Sequence, residues 1–184
     1  QFGAAVFDAV EESWQNHGWS HHGYPVWGMY GEEEQCFYPS GGLCLLRRSA
    51  VAPLLPELVP QRYFAYYEDA WLGYILRGRA LNILKEPRAA AVHVAGSTAR
   101  RMGAARRCFW QERNRCLNIL GCYPVGVLWR MGPTRLLATL SIGAALFFTR
   151  PAQWWGWLAA RVWLLCHLLE LQQRHGELLD VFAR

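Results

Sequence analysis

The sequence predicts an α/β chain that runs into an amphipathic helical tail, and three observations carry that expectation. Short apolar runs bounded by Gly and Pro ("LCLLRR", "ALNIL" and "RAAAVHVAG") read as strands. Around them, residues 70–77 and 104–120 place apolar side chains at helical spacing. After residue 124 the composition shifts, and five of the ten Trp crowd into residues 125–184. The 184 residues suffice for one sizeable core and are short for two. The expected division is a first part, residues 1–124, and a tail, residues 125–184.

Residues 1–35 are rich in Gly, His and aromatics, "WQNHGWSHHGYPVWGMYGEEE", and read as a long loop after a short strand. A Gly-Gly turn at Gly41-Gly42 leads into the strand-like "LCLLRR". Residues 70–77 place Trp71, Leu72, Ile75 and Leu76 on one helical stripe, with Gly78 as the stop. "ALNIL" and "RAAAVHVAG" follow as strands. "AARRCFWQERNRCLNIL" then forms a basic amphipathic helix that Gly121 and Pro124 end.

In the tail, Pro133 suits a first helical turn, and the run is apolar only from Leu136 to Phe148. That is shorter than the roughly 20 residues a bilayer requires. Thr149-Arg150-Pro151 interrupts it, and Arg161, His167 and Glu170 lie inside the last apolar run. Two helices lying at headgroup depth with interfacial Trp account for this pattern, against an alternative of a packed helical hairpin or dimer interface.

Apolar residues make up 53% of the chain and charged ones 18%. Its net charge of +5 is unevenly spread. Residues 1–46 hold six acids and no Lys or Arg, whereas residues 77–115 hold ten Lys or Arg against two acids. A basic stretch of that kind points to a phosphate-bearing partner: a nucleotide, a nucleic acid or anionic lipid headgroups. The six cysteines form no CxxC pair, which fits small buried residues in a reducing compartment. No signal peptide opens the chain and no initiator Met is present, so the sequence reads as a fragment.

Several residues invite chemistry. Glu68-Asp69 heads a helix beneath the aromatic run "YFAYY". Carboxylates favour helix N-termini in any case, but one rimmed by Tyr66, Tyr67 and Trp71 can also act as a general base on a hydroxyl. His93 on a strand suits either a metal ligand or a structural histidine. Arg100 and Arg101 could clamp a diphosphate or simply form a solvated basic face. His17, His21 and His22 suggest a metal site, but Gly18 and Gly23 disfavour the helix that would bring them together.

Taken in order, "GGLCLLRRSAV…YFAYYEDAWLGYILRGRALNILKEPRAAAVHVAGS…ERNRCLNILGCYP" resembles the C-terminal half of a family 2 inverting glycosyltransferase of the GT-A fold. The resemblance covers roughly residues 20–124. It implies the acceptor side of a mixed sheet with flanking helices. Asp69 would be the base that deprotonates the acceptor hydroxyl, with Glu68 and Tyr67 shaping the pocket. His93 would join Asp-x-Asp carboxylates on a divalent cation, Mg or Mn. Gly41, Gly42, Arg100 and Arg101 would meet the donor diphosphate, and Trp19, Trp27 and Tyr30 would border the acceptor.

Two departures stand out. Arg77 sits directly before Gly78, displaced from the family's Leu-x-x-Arg spacing, and the chain contains no Asp-x-Asp. The implied activity is sugar transfer from a nucleotide-sugar donor to a lipid-linked or polysaccharide acceptor, at the cytoplasmic face of the membrane. The competing expectation is a non-catalytic relative that binds an anionic membrane surface or a partner. A nucleic-acid module is disfavoured, because Trp110 is the one clear stacking candidate beside the Arg-rich residues 100–115.

Overall fold

The computed structural model describes residues 14–19, 25–29, 36–39, 44–55, 58–84, 101–169 and 171. These fall into two compact units, one within residues 14–84 and the other within residues 101–171. Helices set the architecture, in contrast to the expected α/β fold. The strands among the described residues are β1 (Trp14–Trp19) and β2 (Pro25–Met29), one antiparallel hairpin where a loop was expected. Trp14 pairs with Met29 and Trp19 with Pro25, and the register shifts between Asn16 and Gly18.

The mixed sheet that the GT-A resemblance implies is therefore not formed by these residues. Of its first expected strand, "LCLLRR", residues 44–47 are irregular and the chain then enters the short helix α1 (Arg48–Val51). Of "ALNIL", residues 81–83 are irregular and Leu84 alone makes a bridge. The third expected strand, residues 88–96, lies outside the described residues. Short apolar runs do not distinguish a strand from an irregular segment that needs burial. Here burial decides, because Ile83 packs with Cys36, Val51, Leu72 and Leu76 in one apolar cluster that Leu46 and Leu81 flank. A single bond from the Cys36 N–H to the Ile83 carbonyl, at 2.9 Å, ties the two segments together.

Helix α2 (Glu68–Gly78) organises this unit. Trp71, Leu72, Ile75 and Leu76, the stripe read from the sequence, are all buried. Each contributes roughly 1.5–3 kcal/mol through burial. Helix α2 ends where expected: the Arg79 N–H bonds the Ile75 and Leu76 carbonyls at 3.2 Å, and Leu81 bonds back to Leu76 at 2.9 Å. Gly73 lets residues 37–38 cross the helix closely, since a Cβ there would overlap the Tyr38 Cβ. Arg77, the displaced arginine, donates from Nη2 to the Cys36 carbonyl and lies 5.9 Å from the Phe37 ring centre, so its role here is to hold that crossing segment.

The second unit contains α3 (Ala104–Cys122), α4 (Val125–Thr149) and α5 (Pro151–Cys166). Helices α3 and α5 pack tightly, and a Cβ on Gly156 would overlap the Ala105 carbonyl oxygen. Helix α4 starts eight residues before Pro133 and runs through it, rather than starting there. The break at 149–151 falls as expected: Arg150 leaves helical backbone, and Pro151 suits the first turn of α5 because it has no N–H to lose. At 25 residues α4 is long and apolar enough to cross a membrane by length and composition, and almost none of it is buried. Leu136, Leu137, Leu140 and Phe148 are between 59% and 81% exposed.

Candidate carboxylate site and the buried charge cluster

The chain approaches α2 through backbone that non-glycine residues rarely adopt. Phe64, Tyr66 and Tyr67 have φ of 55°, 71° and 65°. For bulky residues such values cost on the order of 1–3 kcal/mol each, and they persist where the surroundings impose them. Tyr67 is the residue that precedes the first turn, and it caps the helix without a side-chain bond. Glu68 and Asp69 follow in that first turn, where the positive end of the helix dipole favours their charge. Asp69 accepts a hydrogen bond from the Ala70 N–H at 2.7 Å through Oδ1. Glu68 Oε2 is buried and has no hydrogen-bond partner among the described residues.

The neighbours of Asp69 register its charge. Burial first, then Asp69, then Tyr67 hold the Tyr38 hydroxyl well above its ordinary range. Burial and then Asp69 likewise push up the Cys44 thiol. Asp69 thus lies within electrostatic reach of Tyr38 and Cys44, neither of which was singled out from the sequence. Their signal was weak, because both lie some 25 to 31 residues from Asp69 with no shared motif. A Tyr hydroxyl and a Cys thiol can both donate hydrogen bonds to a carboxylate or to a hydroxyl substrate.

Of the remaining expected site residues, Gly41, Gly42, His93, Arg100 and Tyr30 lie outside the described residues. Trp19 and Trp27 fall on β1 and β2. Arg101 is exposed and belongs to the second unit. Among the described residues no three His, Cys, Asp or Glu side chains are grouped as metal ligands.

The second unit holds a charge cluster that the sequence did not reveal. Glu112 Oε2 accepts from Arg115 Nη2 and from Arg161 Nη2, each at 2.6 Å. Burial pushes the Glu112 carboxyl up, but Arg115 and Arg161 together outweigh it and hold its pKa below the usual value. Arg113 lies between two rings, 4.1 Å from the Trp163 centre and 5.0 Å from that of Trp110. Arg161 also lies 5.0 Å from the Trp157 ring centre. Arg161 therefore interrupts its apolar run in order to reach Glu112 on α3, and headgroup depth is not needed to explain it. His167 lies 2.8 Å from the Trp163 carbonyl through Nδ1 and stacks on the Trp163 ring at 4.1 Å.

Compared with known proteins, the chain matches no family model, no curated protein and no solved structure.

Proposed function

We propose that the chain takes part in glycosyl transfer from a nucleotide-sugar donor to a lipid-linked or polysaccharide acceptor, with Asp69 as the base. The observation that carries the reading is the corner itself. Three left-handed aromatic residues deliver Glu68 and Asp69 to the first turn of α2, and Glu68 Oε2 is buried without a partner among the described residues. Backbone strain and an unsatisfied buried carboxylate oxygen at one place are the marks of a site kept for a ligand.

In this reading the acceptor hydroxyl sits against Asp69. The carboxylate takes its proton as the oxygen bonds to the anomeric carbon and the bond to the nucleoside diphosphate breaks. Glu68 and Tyr67 orient the acceptor. A cation, Mg or Mn, was expected through His93; the described residues offer it no ligand set, so no step is assigned to one. The exposed apolar residues of α4 support an acceptor carried in, or at, the cytoplasmic face of a membrane. The same exposed residues favour a second reading, a non-catalytic module that binds a membrane or a partner.

Transfer of labelled sugar to membrane glycolipid by the complete gene product tests the first reading. Asp69→Asn should lower turnover by about 100- to 10,000-fold, the usual worth of a general base, with donor binding little changed. Near-normal turnover would remove Asp69 from the base role and leave the second reading in front.

A further inference from the structure

Helix α4 ends and α5 begins across a single residue, Arg150. That joint leaves little backbone open. The Arg150 N–H bonds the Leu146 carbonyl at 2.8 Å, Pro151 has no N–H, and the Gln153 N–H bonds the Arg150 carbonyl at 2.9 Å. Most of the donors that a helix start exposes are thus accounted for. Around the joint four rings touch edge to face. Phe147 lies 5.2 Å from Phe148 and 5.2 Å from Trp154, and Trp154 lies 4.9 Å from Trp155, between ring centres. The cluster is open to the outside: Phe147, Phe148 and Trp155 are 52%, 81% and 63% exposed. A contiguous apolar patch of this kind marks a contact surface.

The patch continues along α4. Leu137, Leu140, Ala144 and Phe148 recur at steps of three and four, so they share one face of the helix, and all are exposed. Exposed Arg130 and Arg150 stand at the two ends of that face. Residues 125–169 hold four arginines and no carboxylate, so the surface suits an anionic occupant. Aliphatic side chains along the middle, with Trp and Arg at the ends, match a lipid surface. By length α4 could also cross a bilayer, and α5 decides against it. Helix α5 folds back beside α4, since a Cβ on Gly143 would overlap the Trp157 ring, and its Arg161 bonds Glu112 at 2.6 Å. From Arg150 to Arg161 is about 16 Å of helix. A span would therefore carry that ionic cluster near the bilayer midplane, where charge is costly. With α4 lying along one leaflet, the cluster stays out of the hydrocarbon.

We propose that the exposed face of α4, together with the aromatic joint that ends it, docks in-plane on an anionic lipid bilayer. The rings enter the boundary between headgroups and acyl chains, and the Arg150 guanidinium donates to lipid phosphate. This inference rests on the membrane-facing reading of α4, adds the lipid charge and the contact residues, and is independent of Asp69.

The test is flotation of the full chain with preformed vesicles of phosphatidylcholine alone, and of phosphatidylcholine mixed with phosphatidylglycerol. Wild-type protein should float with both and prefer the mixed vesicles. Phe148→Ser with Trp155→Ser should lose on the order of 100-fold of the affinity for either vesicle. Arg150→Gln should lose about fivefold for mixed vesicles, the worth of one arginine at an anionic surface, and keep its binding to phosphatidylcholine. Leu45→Ser with Leu55→Ser removes as many exposed apolar side chains from the other unit and should change neither. All the substituted side chains are exposed, so the melts should match wild type.

Equal losses for the two serine pairs would mean general adsorption and would overturn the face, with the membrane reading intact. Undiminished preference of Arg150→Gln for mixed vesicles would overturn the phosphate contact at the joint. Proteinase K added to vesicle-bound protein should leave no protected fragment; one the length of α4 would mean a span and refute in-plane docking. If wild-type protein floats with neither vesicle, the lipid and the membrane reading of α4 both fall. A dimer that Phe148→Ser with Trp155→Ser dissociates would then assign the face to a second copy of the chain.

Discussion

Replacing Glu112 by Gln keeps the volume and one acceptor oxygen but removes the charge that two arginines share. In the folded chain the Glu112, Arg115 and Arg161 side chains are 11%, 5% and 17% exposed, so water screens them little. Each 2.6 Å contact is charge-assisted, and such bonds are worth about 1.5–3 kcal/mol. Removing one partner from a buried ionic group costs about 3–5 kcal/mol in all, because the remaining charges stay buried and uncompensated. A loss of about 3 kcal/mol lowers the melting temperature of a unit this size by on the order of 10 °C.

The sign of the pH effect follows from the carboxyl's lowered pKa in the folded state. The contribution of Glu112 is fully present above its ordinary value of 4.5 and is lost as pH falls through the lower folded value. Circular-dichroism melts of the complete chain between neutral pH and pH 3 should therefore show acid sensitivity in wild type. Glu112→Gln should start lower at neutral pH and lose that part of the slope. A variant that melts within about 1 °C of wild type, with the same acid profile, would refute a buried network here. Glu112→Leu combined with Arg115→Leu and Arg161→Leu should recover much of the loss, since apolar replacement of a whole buried ionic set is often neutral or stabilising.

Gly156→Ala should destabilise the second unit by about 1–3 kcal/mol, because the added methyl meets the Ala105 carbonyl and lies near the Phe109 N–H; a melt unchanged from wild type would show that α3 and α5 do not approach as described. Leu137→Asp with Leu140→Asp should cut flotation with phosphatidylcholine vesicles while leaving the melt unchanged, both residues being exposed; undiminished flotation would place the membrane contact elsewhere.

What the sequence made legible was local. The spacing of Trp71, Leu72, Ile75 and Leu76 fixes which face of α2 is buried, and Gly78 marks its end. The span of α3 and the break at Thr149-Arg150-Pro151 could likewise be read from punctuating residues. The sheet could not. "LCLLRR" and "ALNIL" carry apolar residues because Ile83 is buried with Leu72 and Leu76 of α2 and the partly buried Leu46 packs against the same cluster, and burial alone does not require a ladder. Pro133 misled for a related reason. A proline costs a helix one N–H and a clash, and the length of α4 on both sides absorbs that cost. The Glu112–Arg161 bond joins residues 49 apart in sequence, and nothing in either segment announces the other. For the carboxylate corner, the residue types were legible and the strain was not, since no sequence pattern forces three aromatic residues into left-handed backbone.

The two units handle unfavourable terms differently, and the contrast bears on function. In the second unit the charge on Glu112 is costly to bury, and it is met by Arg115 within α3 and by Arg161, which joins α5 to α3. At the carboxylate corner the costs accumulate instead. Phe64, Tyr66 and Tyr67 are each strained, and Glu68 Oε2 has no hydrogen-bond partner among the described residues. Glycine would adopt these angles without strain and would relieve on the order of 1–3 kcal/mol at each position. On the glycosyl-transfer reading, aromatic side chains held there contribute what glycine cannot: rings suit the flat faces of a sugar, and the Tyr66 and Tyr67 hydroxyls suit its edge. The corner therefore combines backbone strain with a buried carboxylate oxygen that has no partner among the described residues, and a ligand is to be sought there first.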